Sequence, residues 1–84
     1  MRTERSFRGI SQRLARHYLS NLGGEVEGDD RVVGEGWEVE LSSGKVSIGP
    51  SLSLTEVTVV FEGDEETLEP LIDDFAQKAM RAGG

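Results

Sequence analysis

The sequence predicts an α+β fold: a two-layer sandwich with an N-terminal helix, four to five antiparallel strands and a C-terminal helix. Three observations lead there. Apolar residues recur at helical spacing near both ends of the chain, and they alternate with polar residues through the middle. The stretches between the alternating runs are too short for a parallel crossover, so neighbouring strands pair antiparallel. One face of such a sheet is apolar, and both amphipathic helices must lie on it.

The first helix is expected over residues 4–22. Phe7, Ile10, Leu14, Tyr18 and Leu22 fall at spacings of three and four and share one face. Arg2, Arg5, Arg13 and Arg16 fall on the opposite face, and Gly23-Gly24 supplies the stop. Gly9 inside this stretch costs about 1 kcal/mol relative to alanine, which frays the first turns. Glu25–Gly28 and Arg31–Val33 flank the turn-forming Asp29-Asp30 and predict a short hairpin. Trp37, Val39 and Leu41 alternate with Glu38 and Glu40. Ser42-Ser43-Gly44 reads as a turn, after which Val46 and Ile48 continue the apolar face, and Gly49-Pro50-Ser51 as a second turn. The last strand covers about Leu52 to Glu62. Leu52 and Leu54 are out of phase with Val57, Val59 and Phe61, so a bulge is expected near Thr55-Glu56. Glu38, Glu40, Ser47 and Thr58 form the polar face. The final helix is expected over residues 67–82, with Leu68, Leu71, Ile72, Phe75, Ala76, Ala79 and Met80 as its apolar stripe. Thr67 as N-cap would put Pro70 at N3, where no intrahelical donor is needed.

At 84 residues the whole chain, 1–84, is one domain. With 36% hydrophobic and 30% charged residues it has the composition of a soluble globular protein. It has no apolar run of about 20 residues to span a membrane, no apolar h-region of a signal peptide and no cysteine for a disulfide, thiolate metal site or nucleophile. A cytoplasmic address is expected. The net charge of −7 is unevenly placed: residues 1–22 carry +4 and residues 23–84 carry −11. An acidic body repels phosphate, which argues against nucleic acid and anionic lipid as partners. Only two of the nine basic residues are lysine. An acidic, lysine-poor surface suits a salt-rich, halophilic cytoplasm, where screening relieves self-repulsion; an ordinary acidic protein is the simpler alternative.

Few residues point to chemistry. The pairs Asp29-Asp30, Glu65-Glu66 and Asp73-Asp74 are adjacent on a turn or helix surface, whereas acid–base catalysis needs carboxylates that converge with pKa values pushed apart. His17, the one histidine, sits at the edge of the apolar stripe with no ligand set or nucleophile at a telling spacing and reads as a partly buried structural residue. Gly34-Glu35-Gly36 matches neither the Walker A nor the Rossmann pattern and marks a bulge or kink before Trp37. No catalytic residue, metal site or cofactor is expected. Two features remain as candidates. Arg2, Arg5, Arg13 and Arg16 on one helical stripe could grip carboxylates or phosphates of a partner, or simply be solvated and paired with the chain's own acids. Gly83-Gly84 could thread a narrow adenylating site as ubiquitin-like modifiers and sulfur carriers do, or be a helix cap and one further glycine.

Four segments carry a family likeness: Arg5-Ser6-Phe7-Arg8-Gly9-Ile10, Val46-Ser47-Ile48-Gly49-Pro50, Leu54-Thr55-Glu56-Val57-Thr58-Val59 and Phe75-Ala76-Gln77-Lys78-Ala79-Met80. They resemble a group of short, uncharacterised haloarchaeal proteins that are similar to the C-terminal domain of MoaD-related proteins, where that domain follows a ubiquitin-like (β-grasp) carrier domain. The resemblance implies a link to molybdopterin or sulfur transfer. It brings no catalytic residue with it. The chain departs from a carrier in that it is expected to start with a helix and not a β-hairpin. The first expectation is therefore a non-enzymatic accessory domain whose partner is a MoaD-like, ubiquitin-like carrier. The alternative is a modifier or sulfur carrier that acts through Gly83 and Gly84.

Overall fold

The computed structural model describes residues 1–83, and Gly84 lies outside them. In chain order the described residues form β1 (Arg2–Arg8), α1 (Gln12–Asn21), β2 (Glu25–Val26), β3 (Arg31–Gly34), β4 (Trp37–Gly49), β5 (Leu52–Gly63) and α2 (Glu65–Gly83). The strands make one sheet in the order β1-β5-β4-β3-β2, antiparallel at every step. Both helices lie on one face of it, so the α+β two-layer architecture expected from the alternation is the one observed.

The register explains which face is covered. Val39 is opposite Phe61 and Leu41 opposite Val59, while Val32 on β3 is opposite Val39. All five are buried, and the helices close over them with Ala15 and Leu19 from α1 and Leu68, Leu71, Ile72, Phe75 and Ala79 from α2. Phe75 sits at the centre. Its ring meets Phe7 at 5.1 Å, Phe61 at 5.9 Å and Tyr18 at 6.3 Å between centroids, each edge to face, the arrangement aromatic quadrupoles favour. Met80, assigned to the α2 stripe by its spacing, is instead 73% exposed.

The N-terminal element differs from the expected helix. Residues 2–8 are an edge strand on β5, and the helix begins only at Gln12. Two local features stop the helix from extending backwards. Gly9 adopts φ +86°, outside the helical region, and the Ser11 side chain caps α1 by accepting the Leu14 amide at 3.0 Å. The strand is then favoured by its partners: Arg2 pairs with Glu62 and Arg8 with Glu56, each at 3.1 Å, and Ser6 Oγ lies 3.4 Å from Thr58 Oγ1. Phe7 satisfies a helical stripe and a strand face equally well, which hides the difference in the sequence. The chain therefore starts with a strand and not a helix. That strand pairs with β5 and is followed by α1, so an N-terminal β-hairpin is still absent among the described residues.

At its far end α1 closes as expected of Gly23-Gly24. The Gly24 amide bonds to Leu19 O at 3.0 Å and the Gly23 amide to Ser20 O at 3.1 Å, the paired bonds of a Schellman motif. The hairpin around Asp29-Asp30 also forms, as β2 and β3. Gly34-Glu35-Gly36 is more than a kink, because Gly34 is opposite Trp37 and Glu35-Gly36 turn the chain between β3 and β4. A Cβ on Gly34 would overlap the Trp37 indole, so the bare backbone there is the floor on which the ring lies.

Ser42-Ser43-Gly44 is not a turn. β4 runs through it, with Ser42, Ser43 and Gly44 opposite Thr58, Val57 and Glu56. Nor is the register shift near Thr55-Glu56; it lies on β4 between Ser47 and Gly49. Without an earlier correction of phase, Val46 and Leu54 face away from the helices, and Leu52 follows Leu54 on that side. Ser47 falls on the helix-facing side and leaves the polar face to which its spacing had assigned it. At α2, the Asp64 carbonyl accepts from the Thr67 and Leu68 amides at 3.0 and 2.8 Å, so the helix starts two residues before the expected Thr67 cap. Pro70 then stands inside the helix on its exposed side, and its missing N–H leaves the Glu66 carbonyl without an i+4 donor.

Candidate functional site

Strand β1 scatters the four arginines that the spacing had put on one stripe. Arg2 lies on the open face of the sheet and pairs with Glu62. Arg5 is on the helix-facing side, beside a depression of about 350 Å³ that Glu69, Ile72 and Asp73 of α2 also line. Arg16 reaches the β2–β3 turn: its Nη1 donates to Asp29 O at 2.6 Å and to Asp29 Oδ1 at 3.4 Å, and Gln12 Nε2 donates to the same carbonyl at 2.6 Å. This residue ties helix to hairpin. Arg13 is exposed, beside a depression of about 440 Å³ lined by Ser11, Leu14 and His17. Among the described residues neither Arg5 nor Arg13 has a carboxylate within ion-pair distance. A single guanidinium stripe therefore does not exist. The missing signal was the break at Gly9 and Ser11, which turns a period of 3.6 into a period of 2.

His17 is exposed and not partly buried; its Nε2 lies 3.3 Å from Asn21 Nδ2, one turn on. Gly83 is the last residue of α2, and the other half of the diglycine, Gly84, is outside the described residues. Among the described residues no three His, Asp or Glu side chains gather in a way that would hold a metal ion.

What the topology does bring together is the sheet face that no helix covers. Across it the register makes rows: Arg2, Glu62 and Glu38; Glu4, Val60 and Glu40; Ser6, Thr58 and Ser42; Arg8, Glu56 and Gly44. Arg31 of β3 adds ion pairs to Glu38 and, at 3.7 Å, to Glu27. The pairs are solvent-exposed, with Arg2 at 68% and Glu62 at 42%, and each contributes at most about 1 kcal/mol. Their use is positional: strands about 4.8 Å apart hold opposite charges in a fixed two-dimensional pattern. Beyond the Arg8 row the face changes character. Val46, Leu52 and Leu54 replace the charges, with Ile48 beside them at the register shift. Glu38, Glu40 and Thr58 were legible as a polar face from alternation alone. The roles of Arg8 and Arg31 were not, because their partners are set by long-range register.

A family model described as archaeal MoaD-like protein matches residues 3–84. The chain belongs to that family. The match spans nearly all of the chain, so it takes in both sheet faces and the diglycine alike. No curated protein matches the chain. Within this archaeal MoaD-like member the two surfaces of interest are thus the open sheet face and the exposed side of α1 that carries Arg13 and His17. No helix among the described residues is long and apolar enough to cross a membrane.

Proposed function

We propose that the chain is a non-enzymatic accessory domain that binds a protein partner through the open face of its sheet. The partner is a MoaD-like, ubiquitin-like carrier in molybdopterin or sulfur-transfer biology, met in a salt-rich cytoplasm. The observation that carries this reading is the uncovered face, where rows of fixed charge end in an apolar margin. Charged rows give orientation and selectivity, and an apolar margin gives affinity, which is the usual division of labour at an interface. Family membership supports the biological setting. The acidic excess of the chain favours a protein partner with basic side chains over nucleic acid.

The test is a titration of the purified chain against carrier proteins from its own host. One-to-one capture is expected, weakened by the double reversal Glu4→Lys and Glu40→Lys, which changes the open face without touching the core. Capture that ignores this reversal would refute the assignment of the surface.

One observation favours a second reading, in which the chain is itself the carrier: the Gly83-Gly84 pair has the chemistry for activation at an adenylating enzyme. Against it, Gly83 closes a 19-residue helix, so no extended segment precedes the diglycine to give it reach. Intact mass spectrometry of protein purified from the host separates the two. Replacement of a carboxylate oxygen by sulfur, abolished by deleting Gly83-Gly84, would establish the carrier and displace the accessory reading.

A further inference from the structure

The outer half of the β4–β5 hairpin differs from the rest of the chain in charge, phase and pairing. Between Leu41 and Thr55 the only charged residue is Lys45, so the remainder of the −7 chain carries −8. β3 stops pairing with β4 at Glu40, and β1 stops pairing with β5 at Glu56. The Thr55 carbonyl still accepts from the Gly9 amide at 3.1 Å; beyond it Lys45–Gly49 and Leu52–Leu54 are left as a two-stranded arm that lengthens the molecule to 43 Å against 24 and 21 Å in the other directions. The Leu41 amide still donates to Asp30 O at 2.8 Å. Backbone groups alternate in direction along a strand, so those of Ser43, Lys45 and Ser47 point to the same, now unpaired, side. On the outer face Leu52 is 59%, Ile48 48% and Leu54 37% exposed.

Each property is a liability in an isolated chain. A two-stranded ribbon is marginally stable in water. Open edges are normally guarded by several charges or prolines, and this one has Lys45 alone. Charge selects the occupant. Two copies repel wherever their acidic bodies meet, but an arm-to-arm approach joins the ends that carry no acidic residue and keeps the −8 bodies apart. An anionic membrane offers no such relief.

We infer that the chain self-associates as a twofold dimer through these arms, the free edge of β4 in one copy pairing antiparallel with the same edge in a second. The surface is self-complementary, as a twofold contact requires. Stable interfaces cover about 800 Å² per partner, more than Val46, Ile48, Leu52 and Leu54 alone present, so the backbone edge supplies the rest. Pairing sets the two Val46–Ile48 segments side by side and joins the two apolar clusters into one outward-facing surface, which leaves that face free for a partner.

Sedimentation velocity on the full chain, from micromolar to millimolar, tests this at about 0.1 M and about 1 M KCl, between which the Debye length falls from about 10 to about 3 Å. A dimer that tightens with salt is expected. Ser43→Pro, which removes an edge-facing amide, and the pair Val46→Glu with Ile48→Glu, which puts like charges side by side across the seam, should each weaken association at least about tenfold, while Met80→Glu on α2 changes nothing. Circular dichroism melts establish that the variants remain folded. A monomer throughout the range in both salts overturns the inference. So does a dimer of unchanged affinity in both arm variants, or arm-dependent binding to lipid vesicles by a chain that stays monomeric. The measurement uses the chain alone, so its outcome is independent of whether a carrier protein binds.

Discussion

The body and the arm of the sheet are built from the same two strands with opposite phase. In the body, Val39, Leu41, Val57, Val59 and Phe61 point toward the helices and are fully or almost fully buried. In the arm, the half-buried Val46 and the exposed Leu52 and Leu54 point away from them, while Lys45, Ser53 and Thr55 take the helix-facing side. The phase changes across Ser42-Ser43-Gly44 on one strand and Thr55-Glu56 on the other, without a bulge at either place. Alternation therefore specifies which residues share a face; it does not say that the face is the covered one. An unbroken strand with an inverted pattern belongs to two environments, the core in one half and an exposed surface in the other.

The sharpest way to break this comparison is to truncate one residue of each kind. Phe75→Ala removes the ring on which Phe7, Phe61 and Tyr18 converge and should cost about 3–5 kcal/mol. Small domains have only about 5–15 kcal/mol in all, so partial unfolding at room temperature is expected. Leu52→Ala in the arm should cost less than about 0.5 kcal/mol. Urea melts at low protein concentration, where the chain is monomeric, compare the two. Equal costs would mean that the arm is part of the core.

Next in size is Gly34→Ala. A Cβ there meets the Trp37 ring, which packs against the bare backbone of Gly24 and Gly34 at 8% exposure and cannot swing away without opening the core. About 1–3 kcal/mol of overpacking is expected from the urea midpoint. Gly44→Ala, with nothing within 4 Å of the added carbon, is the arm's counterpart and should be close to neutral. Smaller again is Ser11→Ala, which removes the α1 cap and should cost about 1 kcal/mol in the same measurement. A neutral result would mean that Gly9 alone sets the boundary between β1 and α1.

These sites also mark where the sequence was legible. The run Trp37 to Leu41 announced a strand because alternation is local, and the Gly23-Gly24 stop and the α2 stripe are local too. Residues 2–8 read as helix because Phe7 and Ile10, three apart, fit a helical stripe, while what makes them a strand lies in Glu56, Thr58 and Glu62, some fifty residues away. Ser42-Ser43-Gly44 has turn composition, yet pairing with Glu56 to Thr58 overrides it, since propensity is a weak prior against register. The arginine set failed for the same reason as β1. A surface of side chains is only as legible as the element that carries it, and one misplaced boundary moved Arg2 and Arg5 to opposite faces of a strand.

The smallest effect separates two roles of charge. The Arg8–Glu56 pair spans β1 and β5 at 3.1 Å with both side chains partly exposed. A double-mutant cycle with Arg8→Gln and Glu56→Gln should give a coupling of about 0.2–1 kcal/mol at low salt, shrinking as salt is added. The chain as a whole should respond in the other direction: with −7 overall, screening relieves more repulsion than attraction, so the melting temperature should rise with KCl. The two trends come from the same ions and differ only in range. A contact pair feels its one partner, while the net charge sums every distance within a Debye length. Coupling that falls while the melting temperature climbs would establish that the acidic surface is tuned to salt; a melting temperature that does not move would remove the halophilic reading and leave an ordinary acidic protein.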